Sequence, residues 1–196
     1  MNLKLVTPPA VEPLSLAEAK DHLRVDGTAE DALIGALVQA ARESLDGAAG
    51  WLGRALVTQT WDWLLDEFPA ASDRALRVPL PPLQSVASLK YLDLAGTEQT
   101  WSPANYLVDA AAAPARILPA YGLAWPTARR VANAVTVRFA AGYGGAGNLV
   151  PGPVRAAMLL LIGDLYRHRE AKIDAALAGN PAVMALLAPY RVWGFG

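Results

Sequence analysis

The sequence contains no cysteine, and this absence excludes disulfide bonds, thiolate metal sites and cysteine nucleophiles. It contains only two histidines. His22 and His168 stand alone, without acidic residues at the spacing that metal ligands require. We therefore expect no metal site.

Long apolar runs are absent as well. The longest, residues 156–162, is far shorter than the ~20 residues of a membrane-spanning helix. The N-terminal segment, residues 1–14, is broken by prolines and lacks the apolar stretch of a signal peptide. With 54% hydrophobic residues, the 196-residue chain can still bury a substantial core. The sequence predicts a soluble, non-exported protein without a membrane partner.

Charge is spread unevenly, although the net charge is only −1. Residues 1–115 hold 15 acidic and 8 basic side chains, whereas residues 116–196 hold 3 and 9. These opposite charges can meet within one monomer, or between two different patches of neighbouring copies in a ring. Charge alone leaves both interpretations open. A pI of about 6.1 argues against a dedicated DNA-binding protein.

Helical periodicity marks both ends of the chain. Ser15 and Glu18 form a predicted capping box that opens a helix over residues 16–23. Apolar residues then recur at three- and four-residue spacing over residues 29–52, and again from Pro153 onwards. A short last helix is predicted from residue 181, where a proline suits the first turn.

Between these helical regions the apolar period falls to two, which is typical of strands. Residues 56–64 are rich in strand formers and place Gln59, Trp61 and Trp63 on one face. A hairpin is predicted over residues 86–101, and further short strands follow. The middle of the chain is therefore predicted to be an antiparallel sheet.

These patterns together predict an α+β protein with a helical bundle core and an inserted antiparallel β-sheet region. The predicted domains are an N-terminal helical part of the core (1–55), the β insertion (56–142), a C-terminal helical part of the core (143–188) and an extended tail (189–196).

A glycine-rich segment, GYGGAG, follows the last predicted strand and fits the G-x-G-x-x-G pattern of dinucleotide-binding loops. In those loops the helix amides face the pyrophosphate, whereas here five residues intervene and the helix start carries prolines without amide protons. No cofactor is therefore expected. The glycines Gly142, Gly144, Gly145 and Gly147 are predicted to form a structural hinge instead.

Catalytic chemistry has little support in the sequence. Asp62, Asp66 and Glu67 lie beside Trp61 and Trp63, and a glycosidase combines carboxylates with stacking aromatic residues in this way. Acidic residues at a strand end beside buried tryptophans are far commoner. No G-x-S-x-G nucleophile elbow occurs. A carbohydrate-binding or hydrolytic module is kept as a remote alternative.

The C-terminal tail has three aromatic residues among its last eight. Tyrosine, tryptophan and arginine are the residue types that dominate protein interfaces, and chain ends are seldom so apolar. The tail could fold back on its own core, but docking into a partner is the preferred hypothesis. The candidate partner-binding residues are Tyr190, Arg191, Val192, Trp193 and Phe195.

Short segments spread along nearly the whole chain follow one another in an order that one protein family shares. They are PLSLAEAKDHLRV (13–25) with Glu30 and Asp31, PPLQSV (81–86) before YLD (91–93), VTVRF (135–139) with AGYG (141–144), Val150 and Pro151, Tyr166, Arg169 and Glu170, and Tyr190 and Arg191. Together they resemble the head–tail connector, or adaptor, proteins of long-tailed bacteriophages, prophages and gene transfer agents.

The resemblance implies a structural subunit without enzyme activity, which forms a ring of twelve copies below the portal protein. Such a ring would line the DNA channel, meet passing DNA without sequence specificity and join capsid to tail. The implied partners are further copies, the portal, and stopper or other tail-junction proteins, with the tail docking on the portal.

The implied location is the head–tail junction of a virion or phage-like particle, and the bacterial cytoplasm during assembly. A stopper or tail-completion protein of the same junction is the nearest alternative. The middle sheet resembles the β insertion of a larger subgroup.

Overall fold

The computed structural model describes residues 2–70, 74–168 and 180–192. The described α-helices are α1 (Leu16–Leu23), α2 (Asp31–Leu45), α3 (Gly152–Arg167) and α4 (Pro181–Leu187). The described strands are β1 (Asn2–Thr7), β2 (Gln59–Leu65), β3 (Leu76–Arg77), β4 (Leu83–Leu92), β5 (Glu98–Trp101), β6 (Tyr106–Asp109), β7 (Arg116–Pro119) and β8 (Val135–Ala141). Among these helices, none combines the length and apolar character needed to cross a bilayer.

The strands form two antiparallel sheets. One has five strands in the order β1-β2-β8-β4-β5, and the other has three in the order β3-β7-β6. The predicted helical bundle core with an inserted sheet is therefore wrong: the protein is a mixed fold in which strands carry much of the structure. The missed element is β1, which precedes every helix and pairs with β2 from Asn2 to Thr7.

Two compact units divide the chain. The sheet unit comprises residues 2–8 and 58–142, and the helical unit comprises residues 9–57 and 143–192. Each unit is built from segments that are distant in sequence. The domain boundaries drawn from the sequence pattern stay a prediction.

The helical unit begins with the predicted capping box. The Ser15 hydroxyl accepts from the Glu18 amide at 3.2 Å, and the Ser15 amide donates to the Glu18 carboxylate at 2.9 Å. This pair satisfies donors that the first turn of α1 leaves without helical partners. The core of the unit is aliphatic, with α2, α3 and α4 contributing the fully buried Ile34, Met158 and Leu187.

Helix α2 is shorter than the apolar spacing over residues 29–52 predicts. It ends at Leu45, because Asp46 is extended and Gly47 turns the chain with φ of 75°. The Asp46 carboxylate then accepts from the Leu56 amide at 2.8 Å, which fixes the returning chain. Leu52 fits the helical spacing of the sequence, but it lies in a turn beyond the end of α2, where its side chain is buried.

The sheet unit places β8 at the centre of its larger sheet, between β2 and β4. Gln59, Trp61 and Trp63 of β2 are all buried, as the alternation predicts. An aromatic cluster includes Phe68, whose ring stacks on Trp125 at a centroid distance of 4.9 Å. The predicted hairpin is also confirmed, with β4 and β5 joined by a turn in which the Asp93 amide donates to the Thr97 carbonyl.

Candidate interaction surfaces

The glycine-rich segment begins immediately after β8 and leads through a short 3-10 turn to α3. Gly142 and Gly144 have φ angles of 128° and 156°, values that residues with a Cβ atom rarely adopt. Two of its backbone amides are engaged with carbonyls, since Gly142 donates to Pro82 and Tyr143 to Leu56, both at 2.9 Å. Backbone shape therefore accounts for glycine at two of the four predicted hinge positions.

The other two glycines differ from each other. A Cβ atom on Gly147 would lie 2.7 Å from the Pro13 carbonyl oxygen and still closer to that of Glu12. A Cβ atom on Gly145 would meet nothing within 4 Å. Gly147 is thus needed where two backbone segments of the helical unit approach each other. The hinge itself stays a prediction, and Gly145 is the position at which chain freedom is the simplest explanation.

The described part of the C-terminal tail lies against the helical unit. The Val192 amide donates to the Leu52 carbonyl at 2.9 Å, and the Arg54 guanidinium donates to the Tyr190 carbonyl. The Arg191 guanidinium lies over the Trp51 ring at 4.3 Å from its centroid, a cation–π arrangement. Residues 190–192 are therefore held in place, and their side chains are partly exposed.

Trp193 and Phe195, the other two predicted partner-binding residues, lie outside the described residues, as do Arg169 and Glu170 of the resemblance. Docking of the tail on a partner stays a prediction. The contacts of Tyr190 and Val192 nevertheless matter for its test, because removing these residues also removes hydrogen bonds of the helical unit.

Asp62, one of the three acidic residues beside the tryptophan-rich strand, is engaged in an ion pair. Asp62 accepts two hydrogen bonds from the Arg138 guanidinium, at 2.7 and 2.8 Å. These bonds lower the pKa of the Asp62 carboxyl, although burial opposes the shift. An ionised, doubly bonded carboxylate is a poor proton donor. Trp61 and Trp63 are buried and so present no face on which a sugar could stack.

Charged side chains from the acidic and basic parts of the sequence form ion pairs inside each unit. In the sheet unit Arg138 pairs with Asp62, and Arg116 pairs with Asp109 at 2.6 Å. In the helical unit Arg155 pairs with Glu18. In each pair a cation from residues 116–196 meets an anion from residues 1–115. This supports the intramolecular interpretation, so a contact between copies needs other evidence.

A cavity of about 500 Å³ opens on the helical unit, and sequence reasoning did not find it. Its lining includes Leu14, Ser15, Gly35, Val38 and Arg155. Arg155 at its edge is already engaged, since it pairs with Glu18 and donates to the Pro13 carbonyl at 3.2 Å. Gly35 leaves open space beside α2, which a periodicity argument does not register. Across the described ranges, no cluster of three or more potential metal-ligating side chains occurs.

Comparison with known proteins gives a consistent picture of the fold. No family profile matches the chain, and no curated protein matches it at a significant level. A chain in the neck of an empty gene transfer agent (GTA) particle, computed with C6 symmetry, is 26% identical with a TM-score of 0.78. The match covers 100% of this chain and 98% of that one.

Two further structures agree. A chain in the virion of a native GTA particle is 25% identical with a TM-score of 0.76, over 100% of this chain and 98% of its own. A chain in the neck of a native GTA particle, computed with C12 symmetry, is 24% identical with a TM-score of 0.68 over the same shares, and it supports the fold alone. The chain is thus similar over its whole length to neck and virion components of such particles, which supports the expected resemblance to head–tail junction proteins.

Proposed function

We propose that the protein is a structural subunit of the head–tail junction of a phage-like particle. In this role it acts as the connector, or adaptor, that joins capsid to tail below the portal. The observation that carries the proposal is the whole-length similarity to a GTA neck chain, with a TM-score of 0.78. Because the match covers the entire chain, the sheet unit belongs to the shared fold and is not an unrelated addition.

The subunit forms a ring in this proposal, and twelve copies are the expected number. Support comes from the neighbouring neck structures, which were computed with C6 and C12 symmetry. A closed ring encloses a channel, through which DNA passes without sequence-specific contacts. The role is structural, which agrees with the paired state of Asp62 and with virion components as neighbours.

The C-terminal tail is the proposed anchor on the portal. Hydrogen bonds at Tyr190 and Val192 fix the point from which the chain continues to Trp193 and Phe195. An aromatic segment that starts from a fixed point loses less conformational entropy on docking than a free one. In this proposal the aromatic residues of the tail contribute the apolar contact with the portal, and the helical unit holds the start of the tail in place.

Deleting the gene in the producing strain tests the junction role. Electron microscopy should show DNA-filled heads and separate tails that have not joined, and restoring the gene should restore tailed particles. Tailed particles in normal number without the gene would contradict the proposal. A subunit that binds tail proteins but not the portal would be a stopper instead.

Two truncations test the tail anchor. A chain ending at Val192 keeps the Arg54 and Leu52 contacts but lacks Trp193 and Phe195, so it should fold normally yet lose co-purification with the portal. A chain ending at Ala188 also lacks those contacts and should be less stable. Undiminished portal binding by the chain ending at Val192 would refute the anchor while leaving the junction role intact.

A further inference from the structure

Two Asp-Gly dipeptides occur in the chain, Asp26-Gly27 and Asp46-Gly47. Both lie in the helical unit, and their glycines have nearly equal φ angles of 77° and 75°. Such a dipeptide can react with itself, because glycine has no side chain to keep the aspartate carboxyl group away from its amide nitrogen. The dipeptide and the φ angle of its glycine are thus matched at the two sites, and the surroundings distinguish them.

The surroundings of Asp46-Gly47 engage both of the groups that would react. The Asp46 carboxylate is buried and accepts from the Leu56 amide at 2.8 Å, with the Arg42 guanidinium 3.8 Å away. The Gly47 amide donates to the Arg54 carbonyl at 2.6 Å. Attack of this amide on the carboxyl carbon requires both hydrogen bonds to break, so the folded protein protects this dipeptide.

The surroundings of Asp26-Gly27 leave the same two groups open. Both residues are exposed, in the connection between α1 and α2. In the part of the chain that the structure describes, no hydrogen bond or ion pair holds the Asp26 carboxylate, and no hydrogen bond holds the Gly27 amide. The Gly27 carbonyl accepts from the Lys20 ammonium group, but this oxygen takes no part in the reaction. A Cβ atom on Gly27 would meet no described atom within 4 Å, so the carboxyl group can approach freely.

The connection is anchored on both sides of the exposed dipeptide. Before it, the Val25 amide donates to the Lys20 carbonyl at 3.1 Å, and after it the Asp31 amide donates to the Thr28 carbonyl at 3.3 Å. These bonds use neither the carboxylate nor the amide of the dipeptide. The two reacting groups can therefore move towards each other while both helices stay folded.

We propose that Asp26 is a site of spontaneous modification, at which the folded protein converts aspartate to isoaspartate. The Gly27 nitrogen attacks Cγ of the protonated Asp26 carboxyl group. The N–Cγ bond forms, the Cγ–OH bond breaks, and the hydroxyl group leaves with the amide hydrogen as water, giving a five-membered succinimide. Water then opens the ring at the main-chain carbonyl of residue 26, so that the chain runs through Cγ and the α-carboxylate is free. The water lost is regained, and no oxidant or reductant is needed.

The modified residue would differ chemically from the rest of the surface. It lengthens the main chain by a methylene group and presents a free α-carboxylate at an exposed position. Isoaspartate-specific carboxyl methyltransferases recognise this group and transfer the methyl group of S-adenosylmethionine to it as an ester. The inference is independent of the proposed function, because it depends only on the surroundings of the two dipeptides in the folded chain.

Peptide mapping of stored protein tests the site, because trypsin separates the two dipeptides into peptides 25–42 and 43–54. The folded protein is kept at neutral pH and physiological temperature, and samples are digested at intervals. Peptide 25–42 should acquire a second chromatographic form of the same mass, which electron-transfer fragmentation assigns to residue 26. Peptide 43–54 should change more than about tenfold more slowly, because Asp46 reacts only in molecules where its segment has opened. Methyl transfer by an isoaspartate-specific methyltransferase gives a second readout.

Two controls separate the effect of the fold from that of the dipeptide itself. In guanidinium chloride both peptides should isomerise at similar rates, since the unfolded chain protects neither. Asp26→Glu keeps the charge but cannot form the five-membered ring, so it should remove most methyl acceptance by the folded protein. The inference is overturned by equal rates of the two peptides in the folded protein, by an unchanged peptide 25–42, by a rate difference that persists after unfolding, or by undiminished methyl acceptance of Asp26→Glu.

Discussion

The two units of the molecule are stabilised by different means. The helical unit has an aliphatic core in which successive turns of α2 and α3 contribute Ile34, Val38 and Met158, and its ends are fixed by local caps. The sheet unit has an aromatic cluster, and an ion pair between Asp62 and Arg138 spans adjacent strands. Both units join segments that are distant in sequence: packing of aliphatic side chains between helices joins them in the helical unit, and strand pairing joins them in the sheet unit.

The largest expected effect comes from the centre of the sheet unit. Phe139 on β8 is fully buried and lies opposite both Trp61 and Val86. Phe139→Ala should lower the free energy of unfolding by about 3–5 kcal/mol, because it leaves a cavity that neighbouring strands cannot fill. Urea unfolding followed by tryptophan fluorescence reports on this unit, where four of the six tryptophans lie.

The matched control for that experiment is Leu94→Ala. Leu94 is exposed in the turn between β4 and β5 of the same sheet, so its truncation should change the free energy of unfolding by no more than about 0.5 kcal/mol. Equal effects of the two variants would show that β8 does not form the core of the sheet unit.

A smaller effect is expected where two backbone segments of the helical unit approach. Gly147→Ala places a methyl group 2.7 Å from the Pro13 carbonyl oxygen, and backbone atoms cannot move away as a flexible side chain can. The variant should lose about 1–3 kcal/mol of stability, as overpacked cores do. Circular dichroism at 222 nm during urea unfolding follows the helices. If Gly147→Ala unfolded at the same urea midpoint as the wild-type protein, the backbone segments around Gly147 and Pro13 would have to be farther apart than they are in the structure.

These contrasts explain what the sequence could predict. The capping box of Ser15 and Glu18, the bounds of α1 and the strand face of Trp61 and Trp63 all depend on residues a few positions apart. The spacing of residues in the sequence is therefore enough to predict these features. The pairing of β1 with β2 depends on residues about sixty positions apart, and spacing does not encode it.

The same reasoning applies to the surfaces. The tail stands out in the sequence because three aromatic residues fall within six positions, 190–195. Its contacts with Leu52 and Arg54 join residues more than 130 positions apart, and the sequence pattern does not show them. The spacing of the sequence likewise does not show that Leu107 lies beside Leu118, because the two residues become neighbours only when β6 pairs with β7. The end of α2 was wrong because Leu52 fits the helical period by coincidence, while Gly47 and Asp46 decide where the helix stops.

Acid should affect the two units through different carboxylates. Bonds from Arg138 lower the pKa of Asp62 in the sheet unit, and bonds from Ser15 lower that of Glu18 in the helical unit. A lowered pKa in the folded state means stability that is present above the ordinary pKa. For aspartate this stability is lost as the pH falls from about 4 through the folded value.

Asp62→Asn should therefore destabilise the sheet unit at pH 7 and less at pH 3, because the stability that the ionised carboxylate of wild-type Asp62 contributes is lost progressively as the pH falls below about 4. Urea midpoints from tryptophan fluorescence at the two pH values give the comparison. Glu18→Gln is the matched change in the helical unit and should leave the pH dependence of the fluorescence transition unchanged. An Asp62→Asn variant with the wild-type pH dependence would mean that another group governs the acid response.

A small change in stability is expected at Gly145, and this position tests whether the glycine segment acts as a hinge. Gly142 and Gly144 cannot be used, because their positive φ angles would strain any substitute, and Gly147 is too crowded. Gly145→Ala meets no atom within 4 Å, so it should raise stability by about 0.4–1 kcal/mol by restricting the unfolded chain.

Gly152→Ala at the start of α3 is equally uncrowded and makes the same chemical change outside the segment. If assembly needs freedom at residue 145, Gly145→Ala will reduce incorporation into particles although it is at least as stable as wild type, and Gly152→Ala will not. Normal incorporation of both variants would mean that the segment is not a hinge. Its glycines would then be needed only for their backbone conformation and for the close packing of Gly147 against neighbouring backbone.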